Sequence, residues 1–192
     1  MNPLGFKYNN GELCCDEIPI SKIVNNHKTP LYIYSSNNLI SSYKKLKEEV
    51  NNLDVDILFA LKSNSTIGIV KLLAEQGAGA DIVSGGELKI AQASKIQPSK
   101  IVFSGVGKTE EEINHGIASK IKQFNVESQS ELDKIISIAN NLNTKVPVSL
   151  RINPDIEVDT HKKIATGSNS TKFGLPIDQA ISLYQRINIE KN

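Results

Sequence analysis

The chain has 192 residues, of which 39% are hydrophobic and 22% are charged, and its 22 basic and 21 acidic residues leave a net charge of +1. The length suits one sizeable domain, and the balanced charge argues against nucleic acid or an anionic membrane as a partner. No apolar run approaches transmembrane length, and the N-terminus lacks the features of a signal peptide. We therefore expect a cytoplasmic protein, in which the adjacent Cys14 and Cys15 are reduced.

The first 28 residues predict a β-hairpin and a short helix. Two strand-like segments flank the turn signal NNG at residues 9 to 11, and apolar residues on one helical face follow Pro19. A hairpin of this kind needs a larger sheet to join. We expect it to form a segment distinct from residues 29 to 192.

From residue 31 onward, strands and helices alternate, which is typical of a parallel α/β fold. The predicted strands are residues 31 to 34, 55 to 61, 78 to 83, 101 to 103, 123 to 126 and 146 to 152. The first helix, from about residue 37 to 50, is predicted to turn Leu46 and four other apolar residues inward. Two later helix starts fit the capping box, Thr109 with Glu112 and Ser128 with Glu131.

Charged residues follow several of these strands at their carboxyl ends. Lys62 comes directly after residues 55 to 61, which predict a buried strand because apolar residues run almost without alternation. Asp81, Glu87 and Arg151 lie in or after later strands. The carboxyl ends of parallel barrel strands meet on one face, where active sites are built. An amine, carboxylates and a guanidinium are therefore predicted to converge there.

Each of these residues also has a structural interpretation. Lysines after strands are mostly solvated surface charges. Glu87 stands three residues after Ser84 and could be the carboxylate of a capping box. Asp81 needs a partner inside an apolar strand, and Arg151 could be that partner in a structural ion pair. These alternatives stay open at the level of single residues.

A phosphate-binding P-loop is excluded by spacing. The residues GKT at 107 to 109 match the end of that motif, but Val102 occupies the position of its required glycine.

Several segments together resemble the pyridoxal-phosphate-dependent decarboxylases of the alanine racemase-like barrel fold. The matching segments are TPLYIY at 29–34, FALKSN at 59–64, GAGADIVSGGEL at 77–88, IVFSGVGKT at 101–109, NVES at 125–128, RINPD at 151–155, and TG at 166–167 ahead of KFG at 172–174. They cover nearly the whole chain in order. Within the family, the SGVGK loop, the NPD after Arg151 and the loop around His161 look more like the diaminopimelate decarboxylases than the ornithine or arginine enzymes.

The resemblance implies a site and a reaction. Lys62 would bind pyridoxal 5'-phosphate covalently through its amine, and Asp81, Glu87, Arg151 and His161 would belong to the cofactor site. No metal site is implied. The substrate would be the small amino acid meso-diaminopimelate, the products L-lysine and carbon dioxide, and the full-length enzyme a homodimer. A related ornithine- or arginine-type decarboxylase, an amino-acid racemase and a non-catalytic cofactor-binding remnant remain as alternatives.

The resemblance also implies an incomplete barrel. Roughly five of the eight strands of a (β/α)8 barrel are present, and such a barrel needs about 250 residues. We expect the phosphate-binding loop and a C-terminal β domain to lie beyond residue 192, with residues 1 to 28 joining that β domain. By itself the chain is expected to be inactive.

Overall fold

The computed structural model describes residues 5 to 154 and 173 to 189. Its strands are β1 (Phe6–Asn9), β2 (Glu12–Cys15), β3 (Ile18–Pro19), β4 (Leu58–Ala60), β5 (Gly79–Ile82), β6 (Ile101–Phe103), β7 (Gln123–Val126), β8 (Val148–Leu150), β9 (Ile152–Asn153) and β10 (Leu175–Pro176). Its helices are α1 (Ile20–Asn26), α2 (Ser36–Glu49), α3 (Ile67–Glu75), α4 (Gly85–Ala93), α5 (Glu110–Ala118), α6 (Gln129–Asn141) and α7 (Ile177–Ile189). Strands and helices alternate regularly from β4 to β8.

The strands β4 to β8 form one parallel sheet in chain order. Each pair of neighbouring strands is joined by one helix, from α3 between β4 and β5 to α6 between β7 and β8. Parallel neighbours need a crossover of this length, and successive βα units build a (β/α)8 barrel. The predicted partial barrel is confirmed, with five parallel strands, and the described strands do not close into a ring.

The two faces of this sheet differ in polarity. One face packs under the helices and carries the apolar core, in which the fully buried rings of Phe103 and Phe124 lie 5.8 Å apart. Each such ring stabilises the fold by roughly 1.5–3 kcal/mol through burial. The opposite face carries Asp81, Asn125 and Ser149, which line a cavity. Because side chains alternate along a strand, the same short segments supply both the core and a polar interior.

The hairpin at the N-terminus is confirmed, and it gains a third strand. Strands β1, β2 and β3 form an antiparallel sheet of their own, with the turn residues Asn10 and Gly11 at positive φ. The Asp16 carboxylate fastens this sheet to α2, since it accepts the Ser35 hydroxyl at 2.6 Å and the Asn37 amide at 3.1 Å. These hydrogen bonds hold the pKa of Asp16 below its usual value, against the opposing effect of burial.

Of the two predicted capping boxes, the one at α5 is complete and the one at α6 is only half formed. The capping box at α5 is complete, because Thr109 Oγ1 accepts the Glu112 amide and Glu112 Oε2 accepts the Thr109 amide, at 3.2 and 3.0 Å. At α6, Ser128 Oγ accepts the Glu131 amide at 3.3 Å, but the Glu131 carboxylate accepts from the Glu127 amide. The reciprocal half of that box was wrong, because the carboxylate is shared with a charged donor from a neighbouring loop.

Three local expectations were wrong. Residues 31 to 34 pair with no other strand in the described part of the chain, and Tyr32 is 88% exposed. An extended segment becomes a strand only beside a hydrogen-bonded neighbour. Leu46 and Val55, both predicted to be buried, are 52% and 54% exposed. No described element covers them, so an apolar pattern alone overestimated the core.

The helices and the two cysteines can be compared with the predictions made for them. Across the described residues, no helix has both the length and the apolar character that crossing a bilayer requires. Cys14 and Cys15 are free, as predicted, and both are buried. Burial, and then the nearby Asp16 carboxylate, raise the pKa of the Cys15 thiol.

Candidate active site

A cavity of about 690 Å³ opens at the carboxyl ends of the parallel strands. Its lining residues come from five successive βα units and from the segment before β10: Lys62, Asp81, Val83, Ser104, Gly105, Val106, Asn125, Glu127, Ser149, Arg151 and Phe173. The volume lies within the range of small-molecule sites, roughly 300–1,000 Å³. The structure therefore brings together three predicted site residues, Lys62, Asp81 and Arg151.

Lys62 is held at the mouth of the cavity by the turn that follows β4. The 3-10 turn Leu61–Ser63 is anchored by Leu61, which is completely buried, and by the Ser63 hydroxyl, which donates to the Ala60 carbonyl at 2.7 Å. Lys62 itself is exposed. The sequence thus places an accessible primary amine on a fixed backbone.

Asp81 belongs to a polar chain that crosses three strands. Ser104 donates its hydroxyl to Asp81 Oδ1 at 2.5 Å, and Asn125 donates its amide to Ser104 at 2.9 Å. Gln123 in turn donates to Asn125 Oδ1 at 2.9 Å. An ionised carboxylate only accepts hydrogen bonds, so Asp81 fixes which group donates and which accepts in this series of hydrogen bonds. The sheet register is consistent with the hydrogen bond to Ser104, because Asp81 pairs with Val102 in β6, two residues before Ser104.

Arg151 lies between β8 and β9 and has a partner that sequence alone did not assign. Its Nη1 donates to Glu127 Oε1 at 2.8 Å, and the guanidinium lies over the Phe173 ring at 5.4 Å from the centroid. The proposed ion pair between Asp81 and Arg151 was wrong, because Asp81 is bonded to Ser104. Glu127 is closer along the sheet, at the end of the neighbouring strand β7.

Glu127 is one of two buried carboxylates that the described residues place at this end of the sheet. Only 2% of its side chain is exposed, and its Oε2 has no hydrogen-bond partner among the described residues. The other carboxylate, Glu131, pairs with Lys108 at 2.6 Å, with side-chain exposures of 8% and 2%. Buried charges need partners, so these contacts fix the loops that carry them.

Glu87 is placed at the edge of the site and not in the cavity lining. Its Oε2 accepts the Val83 amide at 2.8 Å, while its own amide donates to Ser84 Oγ at 3.2 Å. This is capping chemistry at the start of α4. The predicted contact of Glu87 with a cofactor stays a prediction, and His161 lies outside the described residues.

Glu112 joins this cap to the next one. Its Oε1 accepts the Gly85 amide at 2.7 Å, so one carboxylate serves the N-termini of both α4 and α5. Hydrogen bonds from the Thr109 and Gly85 amides hold the pKa of the Glu112 carboxyl below its usual value. The loop containing Ser84 is thereby tied to α5.

Sequence reasoning missed the roles of Ser104, Asn125 and Lys108. A polar residue inside an otherwise apolar strand, such as Asn125 in QFNV, was the available signal for the polar interior. Lys108 was considered as the end of a failed P-loop and as part of the SGVGK loop that resembles the family, and neither interpretation predicted its burial or its contacts. Its burial depends on acceptors from other loops, which no local pattern reveals.

The pyridoxal-binding domain of the pyridoxal-dependent decarboxylases has a sequence model that matches residues 36–192 of this chain. The chain belongs to that family. This confirms the resemblance predicted from its motifs, and it agrees with the amine, carboxylate and guanidinium that the cavity brings together.

Relatives within the decarboxylase family are similar over almost the whole chain. Diaminopimelate decarboxylase of Vibrio cholerae is 42% identical over 181 residues, which are 94% of this chain and 43% of that protein. The crystal structure of the Helicobacter pylori enzyme complexed with L-lysine gives a TM-score of 0.84 at 38% identity, covering 90% of this chain and 44% of that chain. The M. jannaschii enzyme in co-complex with L-lysine gives 0.83 at 36% identity, covering 100% and 46%. The chain therefore spans less than half the length of these relatives.

The family cofactor, pyridoxal phosphate, fits the donors of this cavity. Lys62 offers a primary amine for an aldehyde, and Arg151 offers a guanidinium for an anionic group. The unpartnered Oε2 of Glu127 is the kind of buried acceptor that a bound donor satisfies. The described residues thus suit the end of pyridoxal phosphate that carries the aldehyde.

Proposed function

We propose that this chain is the pyridoxal-phosphate-binding part of a diaminopimelate decarboxylase, which converts meso-diaminopimelate into L-lysine and carbon dioxide. The observation that carries the proposal is the cavity that joins Lys62, Asp81 and Arg151, in a chain 42% identical to the Vibrio cholerae enzyme. The bound L-lysine named for the Helicobacter pylori and M. jannaschii structures supports an amino-acid ligand.

The predicted site residues of the cavity, Lys62, Asp81 and Arg151, each have a proposed role. Lys62 binds the cofactor through its amine, for which its accessible position is suited. Asp81, oriented by Ser104, contributes negative charge beside it, and Arg151 contributes positive charge. The chemistry supplied by bound pyridoxal phosphate is an electron sink for the pair of electrons left when carbon dioxide departs. A proton then replaces the lost carboxylate on the same carbon, so the products balance as L-lysine and carbon dioxide.

Glu87 and His161 remain proposed members of the cofactor site. Glu87 contacts the cavity lining indirectly, because its carboxylate accepts the amide of Val83, which lines the cavity. His161 is proposed from the family resemblance alone.

Residues 1 to 28 are proposed to join a C-terminal β domain, and residues 29 to 192 to form the pyridoxal-binding barrel segment. The separate antiparallel sheet β1-β2-β3 supports this division. Within the described residues the outer edge of β1 is unpaired, and unpaired edges are usually covered in native proteins.

We also propose a cytoplasmic homodimer for the full-length protein. The free, buried thiols of Cys14 and Cys15 suit a reducing compartment. Light scattering coupled to size exclusion on the complete gene product should give twice the mass of one chain. A monomer at micromolar concentration would contradict the dimer.

The decisive experiment is carbon dioxide release by the complete gene product with added pyridoxal phosphate. We expect release from meso-diaminopimelate, little from ornithine or arginine, and none from a Lys62→Ala variant. Lys71→Ala is the matched control, because Lys71 is an exposed lysine on α3.

Other outcomes assign other functions. Release from ornithine or arginine instead would favour those decarboxylases, and inversion of configuration without carbon dioxide would favour a racemase. Absence of any reaction in a protein that binds the cofactor would favour a non-catalytic remnant.

A further inference from the structure

Lys108 is a buried lysine at the edge of the cavity, where its ammonium joins several loops by hydrogen bonds. Its ammonium has three N–H donors, and each has an acceptor: the Gly105 carbonyl at 2.7 Å, the Asn125 carbonyl at 2.9 Å and Glu131 Oε1 at 2.6 Å. Only 2% of the side chain is exposed. A lysine buried with every donor used is very different from a solvated surface lysine.

The first consequence concerns the loop after β6, which forms one wall of the cavity. Gly105 and Gly107 have φ of +90° and +74°, a conformation that other residues rarely adopt. A loop with two such residues is conformationally permissive until something fixes it. Lys108 fixes it by holding the Gly105 carbonyl against β7, through the Asn125 carbonyl.

The second consequence concerns the guanidinium on the opposite wall. Glu131 Oε2 accepts the backbone amide of Glu127 at 3.0 Å, while its Oε1 is held by Lys108. Glu127 Oε1 in turn accepts from Arg151 at 2.8 Å. A continuous path of charge-assisted hydrogen bonds therefore runs from Lys108 to Arg151, through three βα loops.

We propose that Lys108 is a positioning residue that sets the location of the Arg151 guanidinium in the cavity, acting through Glu131 and Glu127. The inference rests on the proposed function in so far as Arg151 is to meet a bound cofactor or substrate. The competing explanation is that Lys108 and Glu131 only stabilise the fold. The two explanations differ in whether removing Lys108 changes Arg151.

The test uses Lys108→Met in the complete gene product without cofactor. Methionine keeps most of the side-chain volume and removes the ammonium. We expect phenylglyoxal, followed by peptide mass spectrometry, to modify Arg151 about threefold faster or more, because the guanidinium is released from Glu127. Lys134→Met is the matched control, since Lys134 is an exposed lysine on α6, and it should leave the rate unchanged.

A second readout tests whether Lys108 acts through Arg151. Lys108→Met should weaken pyridoxal phosphate binding in the otherwise unchanged protein, and should have no further effect in an Arg151→Met background. This non-additivity is expected only for residues that act along one path. Additive losses in the double variant would overturn the proposal.

Glu131→Gln guards against loss of folding in Lys108→Met, because it removes the charge and keeps the side-chain shape. It should also speed the modification of Arg151. Lys108→Met or Glu131→Gln could fold and lose thermal stability while phenylglyoxal still modifies Arg151 at the unchanged rate. In that case the purely structural explanation holds and the inference is wrong. The modification rate needs no cofactor. Failure of the unaltered protein to bind pyridoxal phosphate would therefore refute the proposed function and leave this result readable.

Discussion

Arg151 Nη1 donates to Glu127 Oε1 at 2.8 Å, and 46% of the Arg151 side chain but only 2% of the Glu127 side chain is exposed. The two partners should therefore respond differently to substitution. Arg151→Met leaves a buried carboxylate unpaired, which should lower the free energy of unfolding by about 3 kcal/mol. Glu127→Gln leaves a guanidinium that water can solvate, so the loss should be about 1 kcal/mol or less.

Urea denaturation of both variants and of the double variant measures this asymmetry. In the double variant no buried charge is left unpaired, so it should be more stable than Arg151→Met alone. Equal losses in the two single variants would show that Glu127 is solvated in solution.

Glu112 should make the fold sensitive to acid. Because its folded pKa is lowered from the usual 4.5 by the Thr109 and Gly85 amides, its contribution is fully present above about pH 4.5 and is lost as the pH falls through the folded pKa. Glu112→Gln should cost about 1 kcal/mol at neutral pH, as for other lost caps. The difference from the unaltered protein should shrink below pH 4.5.

Thermal unfolding between neutral pH and acid compares Glu112→Gln with Glu110→Gln. Glu110 lies in the same first turn of α5, and its side chain is exposed. A constant difference between the Glu112 variant and the unaltered protein across the pH range would contradict the assigned hydrogen bonds.

A side chain at Gly174 should destabilise the fold. Its φ is +90°, and an added Cβ would lie 2.8 Å from the Arg151 carbonyl oxygen. Gly174→Ala should destabilise the fold by about 1–3 kcal/mol through backbone strain and this close contact. Gly68→Ala in α3 is the control, because nothing lies within 4 Å of its Cβ position and alanine favours helix. It should be neutral or stabilising, and equal effects at the two positions would be inconsistent with the structure.

The chain of 192 residues alone should release no carbon dioxide from meso-diaminopimelate, even with added pyridoxal phosphate. In the described residues the parallel sheet has unpaired outer edges at β4 and β8, and the cavity has walls from only part of a barrel. Radiometric assay of the purified chain measures this. Turnover above the cofactor blank would contradict it.

Features with local causes were predictable from the sequence. Thr109 and Glu112 are three residues apart, so the capping box could be identified directly. Lys62 directly follows an apolar run that contains β4, so its place near the carboxyl end of a strand could also be predicted. The decarboxylase family was likewise identifiable from short motifs, because each motif is a continuous run of residues.

Features that depend on distant neighbours were not predictable. Arg151 is 24 residues from Glu127 in the chain, and Lys108 is 23 from Glu131. Which charges pair depends on the sheet register and the loop conformations. Residues 31 to 34 illustrate the same limit, since a strand-like pattern cannot supply its own hydrogen-bonding partner.

The proposed function depends above all on Lys62 being the residue that binds pyridoxal phosphate. The most direct measurement is borohydride reduction of the complete gene product equilibrated with the cofactor, followed by peptide mass spectrometry. We predict that the stable pyridoxyl label lies mainly on Lys62, with little on the exposed Lys71. A label spread evenly over surface lysines, with Lys62 no more modified than Lys71, would contradict this role of Lys62.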